Sequence, residues 1–340
     1  MFRIDNDTAS PTLKAPLQPG APGYFTNGDP LTGEQATVVD ADWMSAVQEE
    51  IAYVIEISGL VLSKTDRTQL YQALTRLTRL RLAAPATFYV DPNGNDNNPG
   101  TATQPWASLT HAYNFIRDRI DQNGQQCTVQ LNDGTYSGAV FQYPAVGPWI
   151  KFQGNQSDPT KTVVHGTAGA NAILVDLNAS VWLDSVTLRA DGAPNTGSAL
   201  EVAEAQCAIS NIYWDVCAFA HIKPSSGGTV GGAPAGQPGV PQGVPYTIIG
   251  GAQYHIFAES WGQVGYFGSN ITILNNPLFT VCFCNIVAAG ANFQEVTFTG
   301  TARGSRYALA WSGFITTATA NASFLPGDAA GSNDGSGHYN

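Results

Sequence analysis

A short pattern recurs along the second half of this chain, and it limits the fold more than any other feature. Asp184-Ser185-Val186-Thr187-Leu188-Arg189 aligns with Ser210-Asn211-Ile212-Tyr213-Trp214-Asp215, 26 residues later. Ser269-Asn270-Ile271-Thr272-Ile273-Leu274 matches Gln294-Glu295-Val296-Thr297-Phe298-Thr299 at a separation of 25. The middle interval, from Ile212 to Ile271, is 59 residues: one period plus an insertion. It contains the run Ser225 to Pro245, where Gly and Pro supply 11 of 21 residues and no strand is expected to persist. Short strands at a period near 25, with no helices between them, predict a parallel β-solenoid whose coils stack at about 4.8 Å.

Alternation then assigns the columns. Val186, Ile212, Ile271 and Val296 are expected inward as one ladder, and Leu188, Trp214, Ile273 and Phe298 as another. Cys207 shares the inward column of Val181 and reads as a small buried hydrophobe. Residues 127–317, less the insertion, allow six to seven coils. A solenoid exposes strand edges at its ends. The segment with Leu109, Ala112, Tyr113, Ile116 and Ile120 on one face, capped by Ser108, is expected to form a helical lid over the first coil.

The first part of the chain differs. Residues 1–35 are punctuated by Pro11, Pro16, Pro19, Pro22 and Pro30 and cannot build a core, so this arm must lie on another surface or stay mobile. A helix capped by Asp40 or Asp42 is expected next, with Trp43, Val47, Ile51, Val54 and Ser58 in a stripe and Gly59 as its stop. Asp66-x-x-Gln69 resembles a capping box opening a second helix, with Leu70, Leu74, Leu77 and Arg81 at helical spacing up to Pro85. Two heptads leave a helical hairpin and a self-associating stalk equally open.

Composition excludes several functions. Lys and Arg number 15 against 26 Asp and Glu, and a net charge of −11 opposes binding to a nucleic-acid backbone. No apolar stretch is long enough to span a bilayer, so no membrane insertion is expected. The polar opening Phe2-Arg3-Ile4-Asp5-Asn6-Asp7 contains no signal-like apolar run. Five cysteines in 340 residues do not make a disulfide framework, which fits synthesis in a reducing compartment.

Glycoside hydrolysis uses two carboxylates about 5 to 9.5 Å apart. Asp184 and Asp215 are expected roughly 16 Å apart at strand rise, Glu201 and Glu204 point to opposite faces, and Glu295 stacks near no acid. Asp215 falls over Arg189, which reads as a cross-coil ion pair. No catalytic residues, metal ligands or cofactor are assigned. Asp91, Asn93 and Asn95 have the spacing of a Ca²⁺ loop, but Gly94 is misplaced and Ala102 stands where a Glu is needed, so an Asx-rich turn is favoured. Outward positions carry aromatics. Trp182, Ala208, Phe267 and Asn292 are expected in one column, and Thr187, Tyr213, Thr272 and Thr297 in another. Trp182, Tyr213 and Phe267 would be exposed on a lone chain, either to stack on a glycan or to be buried between three packed prisms. The second reading is favoured, because a solenoid is a poor dimeriser by any other face.

Two resemblances accompany these readings. Tyr89-Val90-Asp91, Gly94-Asn95-Asp96, Pro99-Gly100-Thr101, Pro105-Trp106 and Leu131-Asn132-Asp133-Gly134-Thr135-Tyr136 resemble the entry and first coils of pectate-lyase-like right-handed β-helices. Phe152-Gln153-Gly154-Asn155 and Thr162-Val163-Val164-His165-Gly166 continue that likeness. Phe2-Arg3-Ile4-Asp5-Asn6, Pro22-Gly23-Tyr24-Phe25, Asp42-Trp43, Val47-Gln48-Glu49-Glu50-Ile51 and Lys64-Thr65-Asp66-Arg67-Thr68-Gln69-Leu70 are similar to the N-terminal region of tailed-bacteriophage tail fibre and tailspike proteins. Phe324-Leu325-Pro326-Gly327-Asp328 and the ending Gly337-His338-Tyr339 look like the tails of some of them. The resemblance implies a mainly β chain with a right-handed parallel β-helix, made in the bacterial cytoplasm and carried on the virion. It implies a homotrimer whose residues 1–85 attach to baseplate or tail proteins, with Phe2, Ile4, Tyr24, Phe25 and Trp43 as attachment residues. Residues 86–126 would then be the entry strand and cap, 127–317 the β-helix with its insertion at 225–245, and 318–340 a tail. Host-surface recognition is the implied role, through a cell-surface glycan or protein. A polysaccharide-degrading tailspike and a structural adaptor for another fibre are the alternatives.

Overall fold

A computed structural model describes residues 2–18, 20–192, 195–231, 245–265, 269–317 and 321–340. The chain divides into two units, residues 1–80 and 81–340, each with its own contacts.

In the first unit, helix α1 (Ala41–Ile57) is capped by Asp40, whose carboxylate accepts from the Trp43 amide at 2.9 Å. Gly59, at φ +81°, ends it. Helix α2 (Gln69–Leu77) is shorter than its leucine spacing suggested, and its start is not a capping box. Asp66 accepts from the Thr68 amide and hydroxyl, while the Gln69 side chain turns away to bond Val61 O and Ser63 N. The arm does lie on a surface. Arg3 forks onto Glu49 and Glu56 of α1, Ile4 N donates to Gln48, and Leu17 N donates to Asp42. The Arg3 guanidinium holds both carboxyls below their usual range. Ala52, Ile55 and Ala73 form a very small core, and Leu70, Leu74 and Leu77 stay between 39% and 49% exposed.

The second unit is a parallel β-solenoid, as the repeat predicted. Strand Ala86–Val90 pairs with Cys127–Leu131, and helix α3 (Leu109–Arg119) covers the first coil. Ser108 caps α3, and Asp96 fixes that cap by accepting from Ala107 N, Ser108 N and the Ser108 hydroxyl. Tyr113 packs on Phe141 at 5.0 Å between ring centroids. Seven coils of three strands follow. Their first face runs from Cys127–Leu131 to Gly290–Phe293, the second from Gly134–Ser137 to Thr297–Thr299, and the third from Ala139–Gln142 to Arg303–Ala310. The Asx turn at Asp91 forms as read, with the Asn93 amide donating to Asp91.

On the first face Ile150, Val181, Cys207, Val230, Val264, Ala291, Ile315 and Tyr339 make one inward column. Three expectations need correction. Thr229–Gly231 is a strand inside the Gly/Pro run, because Gly231 can oppose Gly265 across a backbone contact that a Cβ would block; residues 232–244 lie outside the described ones. The ladder expected from Val186 to Val296 runs instead through Val186, Ile212, Tyr246, Ile271 and Phe298. Val296 is buried at the preceding turn, and Thr299, not Thr297, pairs with Thr272. A slip of two residues keeps the same faces inward, so alternation cannot detect it. The outward column of Trp182 and Ala208 continues through Gly231 and Gly265 to Asn292, and Phe267, expected in it, lies outside the described residues. The final residues continue the stack: Ser332–Asn333 pairs with the seventh coil, and His338–Tyr339 with Phe314–Thr317.

Candidate functional site

Trp182 points outward but is not exposed. Only 7% accessible, it packs with Trp149 and Ala208, donates its indole N–H to Ser210 Oγ at 2.7 Å, and lies under the Lys151 ammonium at 4.1 Å. The same ammonium pairs with Asp184 at 2.8 Å, and Asp184 also accepts from Ser210. This knot stiffens the first face from outside and leaves Trp182 no surface to offer. Tyr213 is half-buried on the second face, and Phe267 lies outside the described residues. Trp182 and Tyr213 thus lie on different faces of the solenoid.

Arg189 and Asp215 do approach, at 3.9 Å, across a β-bulge. Asp191 is the closer partner of Arg189 and also meets His165 Nε2 at 2.6 Å; these two neighbours, His165 foremost, hold the Asp191 carboxyl below its usual range. In the first unit Phe2, Ile4, Tyr24, Phe25 and Trp43 are all exposed, and Tyr24 entirely so. Phe25 meets Trp43 edge-on at 5.1 Å, and Phe2, Ile4, Ile51 and Leu70 border one open hollow of about 440 Å³.

The third face holds the constellation that sequence reading missed. Glu201 pairs with Lys223 in register, and the Lys223 ammonium lies 2.9 Å from Glu201 and 3.6 Å from Glu259. The two carboxylates thus face a common cation. Both Glu201 oxygens are filled, one by Lys223 and the other by the Asn171 amide at 2.7 Å. It is an acceptor satisfied by neighbours rather than a free acid. Beside this triad Phe219, Tyr254 and Phe257 form a half-buried aromatic group, with ring centroids 5.0 to 5.3 Å apart. Apolar rings beside fixed charged groups suit recognition of an amphipathic ligand. The signal was present in Leu200-Glu201-Val202 and Ile222-Lys223-Pro224, whose alternation matches, but Glu259 joins them only through the coil that follows the insertion. Among the described residues no cluster of three or more His, Cys, Asp or Glu side chains is arranged to hold a metal.

No family model matches the chain. A curated relative, the uncharacterized protein StfP of Escherichia coli strain K12, is 43% identical over 77 residues, which is 23% of this chain. The match spans 35% of that relative's length. Among solved structures a rhamnogalacturonan lyase aligns over 75% of this chain and 63% of its own, with 13% identity and a TM-score of 0.28.

Proposed function

We propose that this chain is a bacteriophage tail fibre or short tailspike protein, in which the first unit joins the virion and brings three copies together while the solenoid meets the host envelope. The observation that carries the reading is the apolar surface left uncovered by so small a unit. Trp43, Val47, Tyr53 and Ile57 of α1 and Leu70, Leu74 and Leu77 of α2 are exposed in the chain taken alone. Contiguous groups of this kind mark association surfaces, and the 4-3 leucine step suits packing of like helices. The similarity of the N-terminal motifs to tail fibre proteins supports the same assignment. A stacked sheet prism, rigid along its axis, suits presentation of a surface at a distance from the particle.

Sedimentation equilibrium should return three chains for the intact protein and one for residues 81–340, and particles supplied with the shorter form should lack it. A monomeric intact chain, or particles that retain residues 81–340, would contradict the proposal. Incubation with host capsule or lipopolysaccharide separates recognition from degradation. Reducing ends released by the intact protein would make it a depolymerase.

A further inference from the structure

The seventh coil borders a hollow of about 510 Å³, where the chain turns from the second face to the third. Its walls come from that coil, including the strand Arg303–Ala310, and from the segment Ser323–Asp328 laid on it. Phe324 of the segment meets Phe298 of the coil edge-on at 5.5 Å between ring centroids, and Leu325 beside it is buried. Gly327 lets the segment close against the strand: at φ +146° an added Cβ would come within 2.6 Å of Gly304 O and 3.1 Å of Arg306 Cγ. The Gly304 amide donates to Asp328 at 2.8 Å, and the Arg306 amide to Ala329 O at 3.1 Å. The hollow therefore has fixed walls, both aromatic and polar.

Two arginines border it. Elsewhere in the same unit Arg81, Arg117, Lys151, Arg189 and Lys223 each meet a carboxylate. Among the described residues Arg303 and Arg306 meet none within 4.0 Å, although Asp and Glu outnumber Lys and Arg by 26 to 15 in the chain. The Arg306 guanidinium donates from Nη1 to Ala329 O at 3.1 Å, while its buried Nε has no partner. Arg303 is exposed, and its backbone amide, not its side chain, is engaged, on Pro277 O. Guanidinium donors left unfilled beside apolar surface gain more from an anion than donors already paired. Asp328 also borders the hollow, but one of its oxygens takes the Gly304 amide. Two guanidinium groups against one carboxylate leave the hollow net positive in a chain whose net charge is −11.

We infer that this hollow binds a small organic carboxylate, with the Arg303 and Arg306 guanidinium groups gripping the carboxyl and the Phe298 and Phe324 rings receiving its apolar body. The planar donor fork of arginine matches the two oxygens of a carboxylate. Half-buried rings beside the fork let an apolar body leave water. The net positive charge suits a monoanion, whereas a phosphate dianion would bring its second charge against Asp328. A neutral ligand would leave both guanidinium groups unmatched. Arg303 and Arg306 belong to the seventh coil and Phe324 to the segment laid on it, so a bound carboxylate joins the two and holds the end of the stack closed. The site does not depend on the virion attachment or host recognition proposed above.

Calorimetric titration of the intact protein at constant ionic strength, with benzoate, N-acetylphenylalanine, neutral benzamide and inorganic phosphate, tests it. Saturable binding with a dissociation constant of about 1 mM or tighter is expected for at least one of the two carboxylates, and none for benzamide. Benzoate stands for a free metabolite and N-acetylphenylalanine for the end of a polypeptide, so the tighter of the two gives the source. Arg303→Gln, at an exposed side chain, and Arg306→Lys, which keeps the charge but not the fork, should each weaken binding about tenfold. The double variant Arg303→Gln/Arg306→Gln should abolish it, and Lys161→Gln, an equal loss of charge elsewhere on the solenoid, should bind as wild type. The bound carboxylate should also raise the thermal midpoint and slow amide exchange in residues 321–328. No saturable binding by either carboxylate, equal binding of benzamide, tighter binding of phosphate than of both carboxylates, or full binding by the double variant would overturn the inference.

Discussion

Trp182 sits on an outward strand position yet is nearly sealed, because Trp149 and Ala208 flank it and the Lys151–Asp184 pair closes over it. Trp182→Ala should therefore behave as a core truncation, costing about 3–5 kcal/mol in chemical denaturation. A loss under about 0.5 kcal/mol would mean the ring is a surface group after all. Inside the third face, His221 and His255 are fully buried with their Nδ1 atoms 3.0 Å apart, and Tyr246 OH bonds His255 Nε2 at 2.8 Å. Burial pushes His221 down to about 3 and His255 well below its usual value. The unfolded chain takes up protons near pH 6.5 that the folded chain refuses. Stability from this pair is thus complete above about pH 6.5 and is lost as the pH falls toward 3. Urea midpoints measured from pH 7 to pH 5 should fall, and His221→Gln should flatten that slope. An unchanged slope would mean that the histidines titrate alike in both states.

At the level of the strand, alternation decided which side chains enter the core but not which residues stack. The ladder from Val186 through Ile212 and Ile271 formed as expected, yet ended on Phe298 because a slip of two preserves every face. Tyr246 entered it where the insertion had hidden a coil. The short strand Thr229–Gly231 survives among glycines because its neighbour is also glycine. Gly231, at φ +153°, would bring a Cβ within 2.0 Å of Gly265 O. Gly231→Ala should destabilise the solenoid by about 2 kcal/mol or more, read as a lower thermal midpoint. A midpoint within error of wild type would show that the two backbones can part freely.

Across the whole molecule, what could be read from the residues alone was whatever repeats or caps locally. The period near 25 dictated a coiled stack, because strands too short to bury a face alone must pile on neighbours. Asp40, Ser108 and the Asp91 turn could be placed from side-chain chemistry within a few residues of each. Tertiary structure alone decided the rest. It sealed Trp182 and joined Glu201 and Lys223 to Glu259 across the insertion. Corners have no alternation to read, and their height in the stack depends on the lengths of all the turns before them. Period and polarity are local properties of a chain, whereas adjacency between distant coils is the sum of every loop, which only the folded path evaluates.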